Sequence, residues 1–373
     1  MEPEVLSSSL RGGTILAPAA SPDKPLSSGP PRIAVAGAGV VGLCVGLALL
    51  ERGAVVDLYD PQIHPSASAV AAGMLSPAFE AALDPKGGDF QRLSVALGAW
   101  PELLKRVGVP GGLSRSGAMF VGRVGEEARL DELFLTLEAA GAAPELLTGA
   151  QSRGLQSGLS SEVVSAVLAP GEARITPGPL LAVMRKAYLR AGGRILAEPL
   201  LFQGAAADAV VVASGFGSAA LAEAAPELSL LQPIKGQILT FSGAGPERGP
   251  MVRGEGIYLC PQAGGAVAGA TMELGRSDLE LDPAALRGLH IRAASLFPAL
   301  RLVKPMGRSG VRAATPDGLP LAGPSTRPGV FLATGLRRNG WLLAPLVAEI
   351  VAAAVFGAPR GPEAVAFDPR RFG

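Results

Sequence analysis

Cysteine and histidine are nearly absent from this 373-residue chain, with two of each. Two cysteines cannot build a disulfide framework, so Cys44 and Cys260 read as reduced core residues. His64 and His290 lie far apart without a C-x-x-C or H-x-x-x-H context, which argues against a metal site. Only three tyrosines and two tryptophans are available for base stacking, the arginines are scattered and the net charge is +1. Nucleic acid is therefore not an expected ligand. Long apolar runs are missing too. Ala34–Leu50 is interrupted by glycines, and Trp341–Phe356 is short and carries Glu349, so no integral membrane segment is expected. The opening MEPEV is acidic where a secretory signal would be basic. A hydrophobic content of 48% excludes wholesale disorder. The expectation is a soluble cytoplasmic enzyme, with homo-oligomerisation left open.

What the chain does have is a complete β-α-β unit from Arg32 to Pro61. An apolar strand, Ile33–Ala36, leads into Gly37, Gly39 and Gly42 at G-x-G-x-x-G spacing. A helical run over Val41–Arg52 follows, then a second strand, Val55–Tyr59, ending at Asp60. The glycines suit a tight turn, close approach of backbone to a pyrophosphate, and close helix–strand packing. Asp60 falls near the spacing of about 20 residues expected for an acid that holds a ribose hydroxyl. The unit indicates a dinucleotide without saying which one.

Residues 1–30 are rich in Ser, Pro, Gly and Ala without periodicity and read as a disordered leader. The segment PSASAVAAGMLSP, residues 65–77, is small and nearly uncharged, as suits backbone pressed against something large and flat. Helical patterns cover Phe90–Val107, Glu126–Ala140, Pro179–Ala191 and Leu342–Phe356. Strands are expected at Gly117–Val121, Arg194–Leu196, Asp208–Ala213, Ile238–Phe241, Gly256–Cys260, Ala266–Gly269 and Val330–Ala333. The predicted fold is α/β. A discontinuous Rossmann-like domain (31–88, 168–222 and 306–360) joins an antiparallel-sheet domain (89–167 and 223–305), followed by a 361–373 tail.

Seven blocks, in order, resemble the D-amino-acid-oxidase-like flavoproteins, and within them the glycine oxidases of thiamine biosynthesis. They are GAGVVG at 37–42, AAGML at 71–75, VVASG at 211–215, PIKGQIL at 233–239, GATMELG at 269–275, GVRAATPDGLPLAG at 310–323 and TGLRRNGWLLAP at 334–345. The resemblance implies non-covalent FAD and oxidation of a small amino acid (glycine, sarcosine or a small D-amino acid) to its imine. It implies hydride transfer from Cα to flavin N5 without a protein acid or base, and reoxidation by O2 or another acceptor.

By the same resemblance, Gly37, Gly39, Val40, Val41, Gly42 and Asp60 hold the ADP half of the cofactor. Ser68, Ala72, Gly73, Met74 and Gly215 approach the rest, and Leu336, Arg338, Asn339, Gly340, Trp341 and Leu342 reach the flavin. Arg312 clamps the substrate carboxylate, as the fork of an arginine suits a carboxylate, and Tyr258 assists it. Arg338 reaches both substrate and flavin, Arg337 is solvated, and Met272 lines the pocket or packs in the core. The segment between Leu200 and Asp208 is shorter than the family's, and an Asp replaces the usual Glu at position 60. Rival readings are a D-amino-acid dehydrogenase, a sarcosine-type oxidase, a nicotinamide dehydrogenase and a non-catalytic flavin-binding protein. A covalent flavin would need a C-terminal cysteine, and neither Cys44 nor Cys260 is so placed.

Overall fold

In the computed structural model, which describes residues 29–62, 66–201 and 207–373, the β-α-β unit forms where the glycine spacing puts it. His64, most of the expected leader and most of the shortened segment before Asp208 lie outside the described residues. The apolar strand Arg32–Ala36 is buried beyond its first residue and pairs in parallel with Val55–Tyr59 on one side and Ala209–Val212 on the other. The full sheet runs Leu321–Pro324, Val330–Thr334, Ala209–Val212, Arg32–Ala36, Val55–Tyr59, Arg194–Leu196. Every neighbouring pair is parallel except the first.

The helix Val40–Glu51 is apolar on all sides because it is covered on all sides. It shares one core with the helices Pro177–Arg190 and Gly340–Val355. The turn that launches it tolerates no side chain at Gly42, where a Cβ would sit 2.0 Å from the Gly37 carbonyl oxygen. At Gly37 a Cβ would meet the Ala213 carbonyl at 2.7 Å. These two glycines are required by backbone packing, whereas a Cβ at Gly39 meets only the Ser68 hydroxyl, at 3.2 Å.

A nine-stranded sheet forms the second layer. Its longest strand is Gln232–Ser242, 11 residues next to one edge of the sheet, which pairs with Gly265–Gly269, Glu273–Leu274 and Met306–Ala314, all antiparallel. Ile257–Gln262 and Met251–Gly254 follow, and Met251–Gly254 pairs in parallel with Ala118–Gly122. The sheet is therefore mixed rather than wholly antiparallel.

Three features depart from the sequence expectation. The expected helix Phe90–Val107 is two helices, Phe90–Gly98 and Trp100–Arg106, because Pro101 has no N–H to give the Leu97 carbonyl. Both bury Leu93, Trp100 and Leu104 in the core of the parallel sheet, although the sequence reading grouped them with the other domain. Met306–Ala314 belongs to the nine-stranded sheet, so the chain returns to the parallel sheet only at Leu321. No helix of the described residues is long and apolar enough to cross a membrane.

Candidate active site

Strand register brings distant residues onto one face. Ile234, Gly236 and Ile238 point the same way by the two-residue period of a strand. Their partners on the neighbouring strand are Arg312, Gly310 and Arg308. Ile238 is also level with Gly269, which is level with Tyr258. Arg312 and Tyr258 thus share the face that looks toward the parallel-sheet layer. An open cleft with a cavity of about 150 Å³ lies between the two layers and is lined by both residues.

Missing side chains make room for the ones that matter. A Cβ built on Gly236 would lie 2.4 Å from Arg312 Nη2 and 2.6 Å from Cζ. The guanidinium therefore lies flat on the Gly236 backbone. In the same way the Tyr258 hydroxyl would be 2.8 Å from a Cβ on Gly269. Arg312 Nη1 contacts the Thr271 carbonyl and Met272 Sδ, each at 3.4 Å, and no carboxylate among the described residues pairs with it. Burial, chiefly, pushes the Arg312 pKa down, with Arg338 adding to it. Burial also raises the Tyr258 hydroxyl above its ordinary value, against the pull of Arg312. Tyr258 therefore remains a neutral hydrogen-bond donor.

The opposite wall is the small, uncharged segment and the start of the last long helix. Ser68, Ala72, Gly73 and Met74 line the cleft, as do Asn339, Gly340 and Trp341. Trp341 Nε1 donates to the Ser68 carbonyl at 3.0 Å, and the Ser68 hydroxyl accepts from the Val40 N–H at 3.2 Å. Cys260 and Gln262 hold the Ala72 carbonyl from the sheet side, at 3.3 and 2.7 Å. Burial pushes the Cys260 thiol up to about 12, so it serves as a neutral donor. No side chain caps Gly340–Val355, and a Cβ on Gly340 would meet open space. The helix thus presents free N–H groups and its positive dipole end to the cleft.

Other expected residues lie outside the cleft lining. Val41, Leu336 and Leu342 bury their side chains in the core, and the Leu342 carbonyl accepts from Trp100 Nε1 at 3.4 Å. Any contact they make with a ligand is through backbone. The Gly215 carbonyl accepts from the Thr334 hydroxyl at 3.0 Å. The Asp60 carboxylate is ion-paired with Arg185. Met272 is 40% exposed, so it is not a core residue. Arg337, by contrast, lines the cleft and is not solvated as expected: its side chain is 17% exposed and pairs with Asp84.

Arg338 lines the cleft but is tethered to Glu80 and Asp84, each at 3.3 Å. Glu80 in turn pairs with buried Arg253 at 2.7 Å. Arg253, Arg337 and Arg338 against Glu80 and Asp84 leave one excess positive charge beside the helix N-terminus. Sequence reading missed Glu80, Asp84 and Arg253. The available signal was a charge inside an apolar stretch, as in SPAFE and MVRG.

Glu172 was missed as well. It accepts from the Ala78 N–H at 2.7 Å, at the start of the helix that carries Glu80. Burial raises its pKa from 4.5 to about 7. Above pH 4.5 the unfolded chain gives up this proton while the folded one keeps it to about pH 7. Stability is thus lost across that window as pH rises, and is level above it. A shift of this size corresponds to about 3 kcal/mol. Glu172→Gln should therefore gain up to about that much on its parent between pH 5 and pH 8 in urea unfolding. A difference that does not change with pH would contradict the assignment.

The described residues fit an FAD. The helix that follows the glycine turn has a glycine at its N-cap, with the Ser68 hydroxyl on its first N–H, and a second helix start without a side-chain cap faces an open cleft. The family model "FAD dependent oxidoreductase" (DAO) matches residues 32–354. Glycine oxidase of Geobacillus kaustophilus (strain HTA426) is 30% identical over 349 residues, covering 86% of this chain and 91% of its own length. The tRNA 5-methylaminomethyl-2-thiouridine biosynthesis bifunctional protein MnmC of Caulobacter sp. (strain K31) is 31% identical. That match covers 95% of this chain, which spans only 59% of the bifunctional protein. The crystal structure of glycine oxidase from Geobacillus kaustophilus superposes with a TM-score of 0.78 at 27% identity, covering 91% of this chain and 99% of that one.

Proposed function

Since this chain belongs to the DAO family of FAD-dependent oxidoreductases, we propose that it oxidises glycine, or a close relative such as sarcosine or a small D-amino acid, to the imine. The observation that carries this reading is an arginine fork at a cleft, free of any carboxylate among the described residues, beside a neutral tyrosine hydroxyl.

Arg312 offers two parallel N–H donors, the natural match for an α-carboxylate, and Tyr258 adds a third donor. The clamp fixes Cα in the cleft, so much of the rate comes from orientation. No side chain needs to take the Cα hydrogen as a proton: the amine enters neutral and loses its N–H proton to water as the C=N bond forms. The glycine turn, the segment around Ser68–Met74 and the start of the last long helix would hold FAD, which when bound would supply the two-electron acceptor, with O2 as the final oxidant in this reading. The excess positive charge of the Arg253, Arg337 and Arg338 cluster and the helix N-terminus would favour negative charge on a group bound beside them. Within this reading the glycine-derived imine serves thiamine thiazole synthesis, as the family resemblance implies.

The test is peroxide production in air from glycine, sarcosine, D-alanine, D-proline and N-benzylglycine, at equal concentration. Glycine and sarcosine should lead. Preference for the N-benzyl compound would move the substrate to a secondary amine on a larger molecule. Turnover of none of them would overturn the reading.

A further inference from the structure

The roof over Arg312 is the segment Thr271–Asp282, a loop after the short strand Glu273–Leu274 near its start, and one buried side chain ties it down from below. Gln237 is 0% exposed and sits on the strand Gln232–Ser242 next to Gly236. Its backbone N–H donates to the Thr271 hydroxyl at 2.9 Å, and its carbonyl accepts from the Thr271 N–H at 3.1 Å. Its side-chain Nε2 donates to Glu273 Oε1 at 2.7 Å, and its Oε1 accepts from the Asp282 N–H at 2.7 Å. Glu273 Oε1 also accepts from the Thr271 hydroxyl at 2.7 Å. Both ends of the loop are therefore fastened to one residue.

Between those anchors stands Met272, whose Sδ touches Arg312 Nη1, and before it the Thr271 carbonyl on which the same nitrogen rests. Lys235, also 0% exposed, gives a second tether through its ion pair with Asp278. A buried amide with both of its polar atoms in use holds its partners in one geometry. We propose that Gln237 is a positioning residue for the substrate carboxylate site. It sets the height of Thr271 and Met272, which in turn hold the Arg312 fork in plane. Gln237 touches neither substrate nor cofactor in this account, and the inference rests on Arg312 being the carboxylate clamp.

Its loss should therefore appear in carboxylate affinity and not in cofactor retention. Gln237→Glu keeps the shape but sets two carboxylates against each other at Glu273. We expect KM for glycine to rise about tenfold or more, with kcat within about twofold. The Kd of acetate, read from the change in flavin absorbance, should rise in parallel. Glu273→Gln added to Gln237→Glu swaps donor and acceptor and should restore both constants to within about threefold of the parent.

A Gln237→Glu enzyme with unchanged KM and acetate Kd would overturn the proposal. So would a fall in kcat with no change in KM, or a swap that restores nothing. Arg312→Lys, measured alongside, separates the two layers of the argument. If it too leaves acetate binding unchanged, the clamp assignment fails; if it weakens binding and Gln237→Glu does not, only the positioning role fails.

Discussion

Arg312→Ala should lower kcat/KM for the amino-acid substrate by about a thousandfold while the purified protein stays yellow. Each hydrogen bond to a charged group is worth about 1.5–3 kcal/mol, and the fork supplies two. A loss near 4 kcal/mol corresponds to roughly three powers of ten. The substrate carboxylate would also be left desolvated in the cleft. The fold should tolerate the change, because Arg312 closes no ion pair among the described residues; its nearest polar contacts are the Thr271 carbonyl and Met272 Sδ. Arg312→Lys should fall between the two, since an ammonium restores the charge without the planar fork. Unchanged kcat/KM in the alanine enzyme would remove the residue from the site.

Gly236→Ala is expected to reproduce most of that loss, about a hundredfold, without touching a charged group. The new methyl would stand within 2.4–2.6 Å of Nη2, Nη1 and Cζ of Arg312. Such a clash is relieved at small cost, because the arginine head is the far end of a flexible side chain. Stability should therefore hold, with Tm moving by less than about 3 °C, while the fork is pushed off its floor. The two changes act through one group, so Gly236→Ala combined with Arg312→Ala should be no worse than Arg312→Ala alone. Additive losses would mean that Gly236 matters for another reason.

The parallel sheet was legible in the sequence because its elements carry local signatures. The glycine turn, two five-residue apolar strands and the buried helix after Gly39 specify one another over about thirty residues. Arg312 and Tyr258 were legible only through resemblance. Nothing local marks an arginine that lies on a glycine two strand positions away, because strand pairing across some seventy residues creates that contact. Arg337 misled for the same reason. Adjacent to the residue matched by resemblance, it reads as solvated until Asp84 arrives from just past the end of a helix about 250 positions earlier. Glu80, Arg253 and Gln237 look like stray polar residues in apolar stretches, and only tertiary packing supplies their partners. The break at Pro101 could have been read from the sequence, since proline forfeits an interior hydrogen bond and suits the first turn of a helix, where Pro101 stands.

The central claim is that a carboxylate held by Arg312 presents a small amine for two-electron oxidation. Its most direct test is a single-turnover experiment without oxygen. Glycine mixed anaerobically with the parent protein should bleach the flavin band, and admitted air should restore it with release of peroxide and glyoxylate. Arg312→Ala should bleach only at concentrations far above those the parent requires. A parent flavin that stays oxidised with glycine, sarcosine and D-alanine alike, or an Arg312→Ala protein that bleaches as readily as its parent, would contradict the account.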